Sequence, residues 1–191
     1  MPVKPGMAIN LSAMITSRLI TVLLLFTLSC QTKPKQETQM ASATETEDSA
    51  ASLARRPGPD TPRSAADRLV RALYFEHNKT ENPLRETKDR ALVDQFFVKS
   101  TADLIWNDAK ATPGKINRSK INLLYNEPDA SVKKTWVLPA VIGGPKAIVY
   151  VTFENKSNPE EIKVTMRQIN SRWRIADIQY PTGKSLTQLL N

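Results

Sequence analysis

Three runs decide the fold: AIVYVTFE (147–154), IKVTMR (162–167) and WRIADIQY (173–180). The first is rich in β-branched and aromatic residues, which suit a pleated, half-buried surface. In the second, Ile162, Val164 and Met166 alternate with Lys163, Thr165 and Arg167, giving one buried and one wet face. In the third, Trp173 and Ile175 share a face while Ile178 and Tyr180 have the opposite parity. One extra residue near Ala176-Asp177, a β-bulge, would return all four to the core side. Turns separate the runs at Gly143-Gly144-Pro145, at 155–159 and around Ser171. Working back, Val132 to Val141 reads as one further strand, so the second half of the chain is an antiparallel meander.

Upstream the hydrophobic period changes from two to that of a helix. Ser64-Ala-Ala-Asp67 reads as a capping box, with Asp in place of Glu, and Ala66, Leu69, Val70 and Leu73 follow at helical spacing. This predicts a helix over 64–77. Leu92, Val93 and Phe96 predict a second over 88–97; Ala102, Ile105, Trp106 and Ala109 predict a third over 100–111, stopped by Pro113-Gly114. Leu186, Leu189 and Leu190 predict a short terminal helix. Helices first and then a meander make an α+β domain, N-terminal helices packed on an antiparallel sheet, over 63–191. At that length it buries about two-thirds of its unfolded-chain surface and is stable by itself.

The block Ile162-x-Val164-x-Met166, Trp173 to Tyr180 and Leu186-x-x-Leu189-Leu190 resembles the C-terminal signature of small uncharacterised bacterial lipoproteins. These carry a domain of unknown function with a nuclear transport factor 2-like (cystatin-like) fold. The segment Leu124-Tyr125-Asn126-Glu127-Pro128-Asp129 is similar to the stretch before their first long strand. The resemblance covers roughly 64–190. It implies a curved, cone-shaped sheet and brings no agreed activity.

The N-terminus addresses the chain. LITVLLLFTL (19–28) is uncharged and directly follows Arg18. It is too short for a transmembrane helix, which needs about 20 apolar residues, and suits the apolar core of a signal peptide. A start at Met14 would give a more compact leader. Leu25-Phe26-Thr27-Leu28-Ser29-Cys30 resembles the bacterial lipobox, with Thr27 and Leu28 departing from its usual middle. That resemblance implies cleavage before Cys30 and lipid on its thiol. Residues 1–29 are then a leader and 30–62 a lipidated cysteine with a disordered linker. The linker is poor in apolar residues and closes on Pro57-Gly58-Pro59 and Pro62. Two or more acyl chains anchor stably, so the domain is membrane-tethered rather than membrane-spanning. Gln31 favours the periplasmic side of the outer membrane by resemblance to Gram-negative sorting.

One Cys among 191 residues excludes an internal disulfide and a Cys-rich zinc site. Residues 63–191 carry 21 Lys and Arg against 14 Asp and Glu, net +7. That balance would draw the domain to anionic surfaces or simply keep it soluble, and the bases are scattered, with no run of five, which argues against nucleic acid. No cofactor, metal or phosphate-binding loop is expected. His77, the single histidine, reads as the cationic end of the first helix. With Asp129 and Asp177 it is also the only set from which an isomerase- or dehydratase-like enzyme would be built. Tyr74, Trp106, Trp136, Tyr150, Trp173 and Asp177 are candidates to line a pocket between sheet and helices. The expectation is a non-enzymatic envelope module binding a small ligand or a protein. The alternatives are the enzyme and an inhibitor of an exported toxin or hydrolase. For the inhibitor, the basic surface rather than the pocket carries the contact.

Overall fold

The computed structural model describes residues 52–58, 60–76, 82–85, 87–111 and 114–191. The chain divides into two compact units, Met1–Glu37 and Thr38–Asn191, and every described residue belongs to the second. Cys30, its lipobox, His77 and Pro113 lie outside the described residues.

Helix α1, Ala65–Arg71, starts where the capping box places it: Asp67 N–H donates to the Ser64 hydroxyl, and Asp67 Oδ1 accepts from Ser64 N–H at 2.8 Å. The chain continues not as α-helix but as one π-helical stretch, Ala72–Glu76, in which Leu73 and Tyr74 are both buried. Helices α2 (Arg90–Phe96) and α3 (Lys99–Lys110) follow. Between them Phe97 bridges Ile175 in parallel, and Val98 N–H donates to the Ile175 carbonyl at 2.9 Å. This link and the Gln179–Ser185 bridge occupy part of one edge of the sheet, the kind of edge that recruits other chains.

The sheet has five strands: β1 (Val132–Val137), β2 (Val141–Gly143), β3 (Lys146–Asn155), β4 (Asn158–Ile169) and β5 (Arg172–Gln179). The order is β1-β3-β4-β5, all antiparallel, with β2 also on β3. The single strand expected over 132–141 is thus divided. Pro139 has no N–H to give to a ladder. Nearer the start, a bulge between Lys133 and Trp136 holds Lys134 at φ 49°. Leu138 N–H still donates to the Tyr150 carbonyl at 2.9 Å, so both pieces follow the same edge of β3.

The inner face carries Val149, Val151 and Phe153 of β3, Ile162, Val164 and Met166 of β4, and Ile175 and Ile178 of β5, all buried. The expected bulge is present: Thr165 opposes Asp177 while Met166 opposes Ile175, so Ala176 is the extra residue. Its carbonyl accepts the Thr101 hydroxyl at 2.6 Å, tying α3 to the bulge. The terminal helix α4, Leu186–Leu190, is capped by Ser185 and buries Leu186 and Leu190. The molecule is α+β, helices on one face of an antiparallel sheet.

Candidate functional site

Among the described residues, aromatic side chains pack into the space between sheet and helices. Tyr74 meets the Tyr125 ring edge-on at 5.4 Å, and Tyr125 meets Phe153 at 5.1 Å. Such pairs add to the area they bury. Each phenol also has a partner. Tyr74 Oη donates to the Leu124 carbonyl at 2.8 Å, Tyr180 Oη to the Leu123 carbonyl at 2.6 Å, and Tyr125 Oη lies 2.9 Å from Thr135 Oγ1. The carbonyls belong to a tight loop, 122–127, closed by Asn122 N–H on the Glu127 carbonyl and by Asn126 at φ 56°. The loop drives Leu123, Leu124 and Tyr125 into the core, and two tyrosines satisfy the backbone acceptors that burial would otherwise orphan. Burial raises the pKa of Tyr74, Tyr125 and Tyr180 above the ordinary phenol value.

The six residues proposed to line a pocket are not brought to one place. Tyr74 is core, and Trp106 and Trp173 are partly buried against it. Trp106 carries Lys110 Nζ over its ring at 4.5 Å. Trp136 opposes Thr152 and Tyr150 opposes Lys163, both on the outer sheet face. Asp177 accepts from Ile178 N–H at 2.9 Å, Thr187 N–H at 3.1 Å and the Thr187 hydroxyl at 2.8 Å. It fixes α4 to the bulge. Asp129 is engaged too, accepting from Asn122 Nδ2 at 2.7 Å and pairing with Arg85. Strand alternation puts Trp136 and Tyr150 on the sheet face away from Tyr74. Among the described residues no group of three His, Cys, Asp or Glu is placed to hold a metal.

A second polar centre is structural. Arg118 and Asp108 form an ion pair at 2.8 Å with side chains 11% and 2% exposed. Arg118 also donates to the carbonyls of Leu84 and Ile105, both at 3.0 Å, and to Thr87 Oγ1 at 2.7 Å. Asp108 Oδ1 accepts Lys115 N–H at 2.7 Å. One guanidinium thereby pins two loops to α3.

The surface holds what sequence reasoning missed. Arg56, inside the stretch 30–62 expected to be a disordered linker, makes a two-pronged ion pair with Glu161, both bonds 2.8 Å, and lies 4.2 Å from the Tyr150 ring centroid. Ser52 Oγ donates to the Ile142 carbonyl at 3.0 Å. The described residues 52–58 are therefore fastened to the sheet; the Arg-Glu fork supplies a specific contact that the polar composition of the segment conceals. At the far end of the sheet, a groove of about 630 Å³ is lined by Arg90, Lys99, Arg172 and Arg174 with Asp94 and exposed Ile169. Its acid is spoken for: Arg90 bridges Asp94 at 2.9 Å and Asp103 at 2.6 Å. Hydrogen bonds from Lys99 and then Arg90 hold the Asp103 carboxyl below its usual range.

No family model matches the chain, and no curated protein matches it. Among solved structures it is similar to a chain of the "crystal structure of the type VI native effector-immunity complex Tae3-Tai3 from Ralstonia pickettii". The two are 18% identical with a TM-score of 0.40, over 62% of this chain and 94% of that one.

Proposed function

We propose that the domain is a non-enzymatic protein-binding module of the cell envelope, and within that class an inhibitor of an exported toxin or hydrolase. The observation that carries this is the filled interior. Tyr74, Tyr125, Phe153 and Tyr180 occupy the space a small ligand would need, and Asp129 and Asp177 are committed to hydrogen bonds. Recognition then falls to the surface. There Trp136 stands 57% exposed on the edge strand β1, beside exposed Lys133 and Lys134. Exposed tryptophan on a rigid strand has the chemistry of an interface anchor, because it buries a large area at little cost in side-chain entropy.

The leader, lipid on Cys30 and an outer-membrane address belong to the same proposal. They are supported by the uncharged run 19–28 and the single cysteine at its end. The cone-shaped, nuclear transport factor 2-like form is supported by the C-terminal signature and by helices covering one face of the sheet. A photo-reactive amino acid at position 136, in cells of the native host, tests the contact. One protein adduct, absent when the probe sits at Lys156, is expected, and the purified domain should abolish that partner's activity. A partner whose activity is unchanged, or adducts equal at both positions, would overturn the inhibitor assignment.

A further inference from the structure

Across the outer sheet face, at the end where β4 turns into β5, three cations stand side by side. Lys146 of β3 is paired directly with Arg167 of β4, and Arg167 directly with Arg174 of β5. Opposed residues in an antiparallel pair have Cβ atoms about 5 Å apart, and like charges placed so repel. One row further along, Arg172 opposes exposed Ile169 across the turn made by Asn170 (φ 49°) and Ser171 (φ 61°). None of these four cations has an acidic partner among the described residues. Arg174 donates one N–H to its neighbour's carbonyl, Trp173 O, at 2.8 Å. The nearest acid on that face of β5, Asp177, is held by Thr187. Asp94, which shares a groove with Arg172 and Arg174, pairs with Arg90, so no ion pair relieves the repulsion among the described residues.

We infer that this hairpin end is a docking surface for an anionic phospholipid bilayer. Three adjacent strands, about 4.8 Å apart, carry Lys146, Arg167 and Arg174 in one row across the outer face, which fits a plane of mobile headgroups. Ile169 at the turn is a single aliphatic side chain suited to shallow insertion, collared by Arg167, Arg172 and Arg174. The aromatic anchor for a protein, Trp136, opposes Thr152, six residues along β3 from Lys146 and so about 20 Å away. The domain would lie with the hairpin on the leaflet and present β1 outward.

The test is flotation of the full chain with vesicles of phosphatidylcholine alone or with 30% phosphatidylglycerol. The apolar leader is present throughout, so the readout is the difference between the two vesicles. A basic residue near an anionic leaflet raises partitioning about fivefold, so the triple variant Lys146→Gln/Arg167→Gln/Arg174→Gln should lower the phosphatidylglycerol preference by about a hundredfold. A charge-matched control, Lys120→Gln/Lys133→Gln/Lys156→Gln, should keep most of it. The wild-type preference should also collapse at high salt. A preference that survives the triple variant, falls equally in the control or ignores salt would overturn the inference. So would a photo-reactive residue at 169 that captures protein and no lipid, which would assign the row to an acidic protein surface.

Discussion

Replacing Arg118 with Met keeps the aliphatic stem and removes the charge. Every N–H of that guanidinium is engaged: Nε and Nη2 on Asp108, Nη1 on Leu84 O and Thr87 Oγ1, Nη2 also on Ile105 O. In the variant, Asp108 keeps only the Lys115 N–H on Oδ1, and its side chain is 2% exposed. Removing one partner of a buried pair costs about 3–5 kcal/mol, because the remaining charge is neither solvated nor paired. Against a total stability of roughly 5–15 kcal/mol, that is about a fifth or more for a typical domain. Urea unfolding followed by tryptophan fluorescence reads it directly as a lower midpoint at unchanged slope. Replacing both partners, Asp108→Leu with Arg118→Met, removes the stranded charge. The double variant should therefore lose less than the sum of the two singles, with a coupling of about 0.5–3 kcal/mol. A single variant within about 1 kcal/mol of wild type, or a double variant as damaged as the sum of the singles, would refute a loop-pinning role for the pair.

Gly114→Ala should cost about 1–3 kcal/mol by overpacking, since a Cβ there would stand 2.7 Å from the Asp108 carbonyl oxygen; thermal unfolding checks it. Tyr180→Phe should cost about 1–3 kcal/mol in the same assay, because the buried Leu123 carbonyl loses its donor. Tyr74 and Tyr180 have folded pKa values raised by burial above an unfolded value near 10, so the folded state favours the neutral phenols. Their contribution is fully present below pH 10 and is lost as pH rises above it, so stability should fall from pH 10 upward. Phenolate absorbance of these two should develop only with unfolding, and early, reversible ionisation of all four tyrosines would contradict the packing described. Trp136→Ser should leave the melting temperature unchanged within about 2 °C and weaken the captured partner about thirtyfold or more, measured by titration calorimetry.

Much of the fold was legible because it depends on short-range patterns. Alternation over 162–167 fixed which face of β4 is buried, and the parity change between Ile175 and Ile178 required the bulge that Ala176 makes. The capping box at Ser64 set the start of α1. What failed locally failed for local reasons: Pro139 divides the edge strand, and the helix over 64–77 turns to π geometry at Ala72. The pocket failed for a different reason. Aromatic residues at matching spacing cannot report whether neighbours fill the space before a ligand does. The 122–127 loop, which looked only like a lead-in to a strand, supplies Tyr125 to that space.

By itself the sequence determined the α+β class, the order of helices and strands, and which strand faces are apolar, because these follow from periodicities of two and of about 3.6 residues. It also supplied the bases, scattered and without a run. Only the tertiary structure decided where those bases meet. Lys146 and Arg167 are 21 positions apart and Arg174 is a further seven, yet the registers of β3 on β4 and β4 on β5 set them opposite one another. Register is a property of two paired strands, and a charge cluster built across three strands leaves no periodic trace in any one of them.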